Sequence, residues 1–195
     1  MTTITAPRVL TTGLRGSIGR DVALVATSTL VIAASAQVAI RLPFSPVPIT
    51  GQTLAVLLAG AALGPALAAA SSGLYLVLAL AGLPVLAPTA DGGHLTGSAV
   101  LTSPTLGYLA GFLIASIVVG HLAEWGLTRT VLGTVASMLV GNGVIYALGL
   151  MWLHHSLGAP WATTFAWGLT PFLIGDAVKI AIAAGLLPSV WRVVR

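Results

Sequence analysis

The chain has 195 residues, 57% of them hydrophobic and only 6% charged, and its mean hydropathy is +1.04. It lacks the polar residues that cover a soluble globule, so the composition is that of an integral membrane protein. The net charge of +4 comes from 8 Lys+Arg against 4 Asp+Glu, placed mostly near the chain ends, which suits anionic lipid headgroups and leaves no basic stripe for nucleic acid; the absence of Cys excludes disulfides, thiolate catalysis and thiolate-bound zinc.

A membrane-spanning helix needs roughly 20 mostly apolar residues, and Pro, Gly and polar clusters divide this chain into roughly six such segments. Residues 1–20 form an N-terminal segment carrying Arg8, Arg15 and Arg20. The first predicted helix covers 22–42. Its basic lead, apolar core and 34-ASA-36 also fit a secretory signal peptide. Apolar sequence continues beyond that point to Leu42, however, and cleavage would leave an odd number of spans with a poorer distribution of Arg, so the segment is read as retained. The second helix, 52–63, is short for a straight crossing; either it begins earlier, at Ile49, or it packs inside the bundle away from lipid. The third covers 65–83, the fourth 104–123, the fifth 130–153 and the sixth 170–190, with a tail at 192–195. The expectation is an all-α integral membrane protein: a six-transmembrane-helix bundle spanning 21–191, with no internal repeat.

With an even number of spans, Arg8, Arg15, Arg20, Arg129, Arg192 and Arg195 fall on one side, which the positive-inside rule makes cytoplasmic. Both termini are then cytoplasmic in a multi-pass plasma-membrane protein. The opposite side holds 43-PFSPVPITGQ-52, 84-PVLAPTADGGHLTGSAVLTSP-104 and 154-HHSLGAPWATT-164, with Arg41 as its one loop-proximal basic residue. Irregular backbone at membrane depth is tolerated only where it is buried or lines a cavity, so these loops predict a lid over a small-molecule pocket near the outer face.

Asp176 and Lys179 stand three apart in the sixth helix, on one face, where they can neutralise each other. Two readings compete: an ion pair that locks helices together, and a site for a ligand with both donors and acceptors. The second is preferred, because intramembrane charge marks function more often than not. Gln52, Thr53, Tyr75, Thr105 and Tyr108 all fall toward the outer side; each fits a pocket, and each fits equally a helix cap, a turn or an interfacial anchor. Asn142 in 141-GNG-143 is read as a hydrogen-bonded bridge between helices. His121 and Glu124 lack a third ligand and read as a solvated loop, so no metal is assigned. No G-x-x-x-x-G-K-[ST] phosphate loop and no G-x-S-x-G elbow is present. The chain is therefore expected to have no catalytic residues and no cofactor, and any energy for pumping must come from elsewhere.

In order along the chain, 46-PVPITGQTLAVLLAGAALG-64, 82-GLPVLA-87, 104-PTLGYLAGF-112, 175-GDAVK-179 and 188-PSVW-191 resemble the BioY family, the biotin-binding substrate (S) subunits of energy-coupling factor (ECF) transporters. The resemblance runs from about Arg20 to Trp191. It implies a six-helix membrane protein that captures biotin from outside with high affinity. It also implies partners: a coupling transmembrane protein and a pair of cytosolic ABC-type ATPases. Asp176 and Lys179 occupy the family's Gly-Asp-x-x-Lys positions and are implied to contact ligand; Gln52 and Thr53 follow the Pro-rich turn, and Tyr108 falls in the Pro-Thr-x-Gly-Tyr element. The chain has 103-SPTLGY-108 where the family usually has Gly-Pro-Thr-Gly-Gly-Tyr. Small residues at Ala23/Thr27, Thr29/Ala33, Ser35/Ala39 and Ala66/Ala70 suit close docking of a partner helix. The alternatives are a solitary biotin facilitator working without ATPases and, from another class, a small integral-membrane enzyme.

Overall fold

The computed structural model describes residues 9–11 and 16–194; Arg8, Arg15 and Arg195, which carry part of the expected basic bias, lie outside the described residues. Seven α-helices are present among them: α1 (Ile18–Gln37), α2 (Gln52–Leu63), α3 (Pro65–Leu80), α4 (Leu106–Glu124), α5 (Val131–Leu157), α6 (Trp161–Gly168) and α7 (Leu173–Val194). Four stretches are long and apolar enough to cross a membrane: α1, α4, α5 and the run Trp161–Val193 that joins α6 to α7. The chain is a multi-pass, all-helical membrane protein.

One helix more is present than the six predicted segments. The extra helix is α6, inside the segment expected to be an outer loop. It starts directly after Pro160, whose φ of −56° already suits a helix start, and it turns Thr164 and Gly168, four residues apart, into the protein. A break at Leu169 (φ −128°, ψ −59°) and a short 3-10 turn containing Pro171 separate it from α7. The first helix also ends five residues early. Its N-terminus is capped by the Ser17 hydroxyl, which accepts from the Arg20 amide at 3.3 Å. Its C-terminus gives way to strand β1 (Ala39–Ile40), paired antiparallel with β2 (Ile49–Thr50) in the register Ala39↔Thr50 and Ile40↔Ile49. Pro43, Pro46 and Pro48 withhold amides and disfavour helix in the residues before them, so the chain turns here.

Ile49 therefore belongs to β2, and the short second helix takes its other predicted form: it starts at Gln52 and is buried along most of its length. Gly64 closes it with φ +79° and at the same time opens α3, with Pro65 at the first helical position. That single residue folds α2 and α3 into an antiparallel hairpin, as the Gln52–Tyr75 contact across it shows.

Helix α4 lies at the centre, packed on α2, α3 and α5. Close approach is possible because the contact positions are small. A Cβ added at Gly60 would lie 2.8 Å from the Ser116 carbonyl oxygen, and one at Gly111 would lie 2.9 Å from the Ile145 Cα. Hydrogen bonds between spans add to this: Thr29 Oγ1 donates to the Ser71 carbonyl at 3.0 Å, joining α1 to α3, and the Ser72 and Ser116 hydroxyls meet at 3.4 Å.

The two ends of the bundle differ. At one, Thr11 donates through both its amide and its hydroxyl to Ala62, at 3.2 and 3.0 Å, and the Arg129 guanidinium stacks over the buried Trp191 ring at 4.8 Å. Arg20 and Arg192 belong to this end as well, at the start of α1 and the finish of α7. The other end is built from the β1–β2 turn, residues 81–105 and α6, with Arg41.

A side chain at Gly107 would overlap the Leu148 carbonyl and Trp152, whereas one at Gly143 would meet nothing within 4 Å. Overpacking of this kind costs about 1–3 kcal/mol, so Gly107→Ala should lower the thermal midpoint followed by tryptophan fluorescence in detergent. Gly143→Ala should not lower it. Equal midpoints would show that the α4–α5 approach is not limiting.

Candidate functional site

The N-terminal ends of α2, α4 and α7 and the middle of α5 converge beneath the β1–β2 turn and residues 86–105, and a cavity of about 240 Å³ opens between them. Its walls are mostly apolar, with Val47, Leu86, Leu109, Phe112, Ile145 and Phe172 among the lining residues. A volume below the roughly 300–1,000 Å³ of drug-sized pockets suits a compact ligand with a large apolar surface.

Lys179 brings a charge to the cavity wall. Its ammonium donates to Asp176 Oδ1 at 3.0 Å and to Thr53 Oγ1 at 2.8 Å. The remaining carboxylate oxygen, Asp176 Oδ2, accepts from the Tyr146 hydroxyl. One ion pair thus joins α7 to α2 and α5. Asp176 sits in the first turn of α7, where the exposed amides of the helix start favour an anion. Side-chain exposure is 15% for Lys179 and 7% for Asp176, so both charges depend on these contacts rather than on water.

A second set of bonds fixes Gln52. Its side-chain amide donates to the Tyr75 hydroxyl at 2.6 Å, Tyr75 donates onward to the Val85 carbonyl at 3.0 Å, and the Gln52 carbonyl accepts from Thr50 at 2.9 Å. Tyr108 is clamped differently. Its hydroxyl donates to the Gly168 carbonyl at 2.9 Å, and its ring lies against Gly149, where any Cβ would collide with it. At the start of α4, the Ser103 hydroxyl accepts from the Thr105 amide at 3.1 Å and the Trp152 indole donates to the Ser103 carbonyl at 2.8 Å. The 103-SPTLGY-108 segment is therefore held to α5.

Of the residues expected from the sequence, Gln52, Thr53, Thr105, Tyr108 and Lys179 line the cavity. Asp176 and Tyr75 do not; they stand one layer behind, holding Lys179 and Gln52. Tyr146 lines the cavity and was not foreseen, although a tyrosine one turn beyond Asn142 in an apolar span was a visible signal. Arg41 and Thr89 line the exposed mouth. Near them, the Thr89 hydroxyl and the amides of residues 91 and 93 hold the Asp91 carboxyl below the usual range, with a further contribution from Arg41. Asn142 does not bridge helices by a hydrogen bond; its Oδ1 is buried without a partner. His121 and Glu124 pair at 3.6 Å on the exposed end of α4, remote from the cavity.

The model of the BioY family matches residues 7–195. The chain is 36% identical over 173 residues to the biotin transporter BioY of Rhizobium etli, covering 85% of this chain and 89% of that one. It is 37% identical over 177 residues to the biotin transporter BioY of Rhodobacter capsulatus, covering 84% and 88%. A solved structure, the S-component for biotin from an ECF-type ABC transporter, superposes with a TM-score of 0.77 at 27% identity, covering 91% of this chain and 95% of that one.

Removing one partner of a buried pair strands the other, at a cost of about 3–5 kcal/mol. Lys179→Met should therefore lower the thermal midpoint without ligand more than the double variant Asp176→Asn/Lys179→Met, which leaves no charge unpaired. A double variant less stable than the single would show that the pair is not the constraint.

Proposed function

The chain belongs to the BioY family, and we propose that it is the biotin-binding membrane subunit of an uptake system, capturing biotin at the outer face for release inside. The observation that carries this is the cavity itself: mostly apolar walls, with one neutralised ion pair at depth and one exposed cation at the mouth. Biotin combines an apolar thiophane ring and valerate chain with a ureido group of two donors and one acceptor, and a carboxylate.

The distribution of charge orients it. Lys179 is balanced by Asp176, so the deep end presents hydrogen-bonding groups with no net charge, which suits the neutral ureido ring. Arg41 at the mouth suits the carboxylate. Gln52, Thr53, Tyr108 and Lys179 are the contacts in this reading. Asp176 and Tyr75 act through Lys179 and Gln52.

Six spans, formed by α1, α2, α3, α4, α5 and α7, with α6 as part of the outer cover, leave both termini cytoplasmic together with Arg20, Arg129 and Arg192. Pumping is assigned to partners, a coupling membrane protein and two cytosolic ATPases, because no phosphate loop is present in the chain. The exposed small pairs Ala23/Thr27 and Ala66/Ala70 are available for close docking, whereas Thr29 is spent inside the bundle.

Charge-assisted hydrogen bonds are worth about 1.5–3 kcal/mol each, so Lys179→Met and Asp176→Asn should weaken biotin binding in titration calorimetry by roughly ten- to a hundredfold. Arg41→Ala should weaken biotin but leave uncharged biotin amide unchanged. If both charge variants fold and bind biotin as the wild type does, the site is wrong; if Arg41→Ala weakens both ligands equally, the orientation is wrong.

In liposomes the protein alone should bind biotin but not concentrate it, and in cells a single Cys near Asp91 should react with an impermeant reagent while one near Arg192 does not. Accumulation against a gradient without ATPases would favour the solitary facilitator. Reversed labelling would invert the topology.

A further inference from the structure

Beside the ligand cavity lies a second, far smaller one of about 10 Å³, between α2, α5 and α7. Thr53 and Lys179 line both cavities. The other walls include Leu57, Met138 and Ile180, which offer no hydrogen bond, and Asn142. Asn142 is 7% exposed, and its Oδ1 is an acceptor buried without a partner. An amide oxygen left this way in an apolar helix is costly, and a volume near 10–15 Å³ is the least that holds one water.

Three unspent groups meet at this cavity. The Asn142 oxygen has no donor. Thr53 accepts from Lys179, but no hydrogen bond uses its own O–H among the described residues. The Lys179 ammonium has three N–H groups, of which Asp176 and Thr53 take two. We propose that Asn142 is a positioning residue for the ligand site, acting through one buried water that accepts from the Thr53 hydroxyl and donates to Asn142 Oδ1. The chain of donors then runs from Lys179 to Thr53, to the water, to Asn142. It turns the Thr53 lone pairs toward the ammonium and leaves the third N–H of Lys179 for the ligand.

This assignment rests on the reading of the larger cavity as a biotin site, and a double-variant cycle separates the two. Wild type, Asn142→Leu, Thr53→Val and the double variant are titrated with biotin, with thermal midpoints recorded alongside. Breaking a neutral hydrogen bond corresponds to about three- to tenfold in affinity, so Asn142→Leu should weaken binding by that factor. The double variant should bind no worse than Thr53→Val alone, because both changes break one chain. Asn142→Gln, which keeps a neutral amide acceptor, should retain more of the affinity than Asn142→Leu. Unchanged affinity in Asn142→Leu, or losses that multiply in the double variant, would overturn the proposal. If Asn142→Leu does not fold, the wild-type crystal structure decides: water density within hydrogen-bonding distance of both Asn142 Oδ1 and Thr53 Oγ1 supports the link, and its absence refutes it. Wild type that binds no biotin would instead reject the function on which the assignment rests.

Discussion

An ammonium and a carboxylate set among apolar helices need their hydrogen-bonding groups met, and this requirement organises the cavity end of the bundle. Lys179 and Asp176 sit one turn apart on α7, but neither is satisfied by α7 alone. Thr53 on α2 meets the ammonium and Tyr146 on α5 meets the carboxylate. These contacts fix where α2 starts and how α5 is rotated. The same geometry that keeps the charges tolerable thus shapes the wall of the cavity.

Such contacts are short, so the helices that make them must come close, and the glycines and serines on α2, α4 and α5 allow it. Gly111 gives room to Ile145, and Gly149 and Gly168 give room to Tyr108. Lipid supplies no hydrophobic force between helices, so this backbone contact and a few inter-helix hydrogen bonds carry the association. Tyr108 shows the link from packing to the shape of the cavity. Its ring fits only because two positions on neighbouring helices lack side chains, and its position at the cavity wall follows.

Much of this was legible in the sequence because its causes are local. The start of α2 at Gln52 and the corner at 64-GP-65 follow from Gly and Pro stereochemistry, and the pairing of Asp176 with Lys179 follows from helical spacing. The end of α1 was misplaced because apolar content does not distinguish a helix from the β-branched run before Pro43. Helix α6 was missed because eight residues between Pro160 and Pro171 read as loop. Tyr146, and the second-layer positions of Asp176 and Tyr75, depend on how α5 and α3 are rotated against α7 and α2. No single segment records that rotation. Asn142 was expected to pair across helices, and it faces a small cavity for the same reason.

The hairpin closed by Gly64 has a consequence for the surrounding bilayer. At 16 residues, α3 rises about 24 Å, some 6 Å less than a typical hydrocarbon core. Ala66, Ala70 and Val77 are exposed along its outer side, so lipid beside this flank must thin or compress to meet them. Flanks served by the longer α4 and α5 impose no such demand. The hydrophobic mismatch is therefore lopsided, at a cost of a fraction of a kcal/mol per Å on one side only. A body strained unevenly around its girth is pulled toward tilt, and its resting angle becomes a function of acyl-chain length.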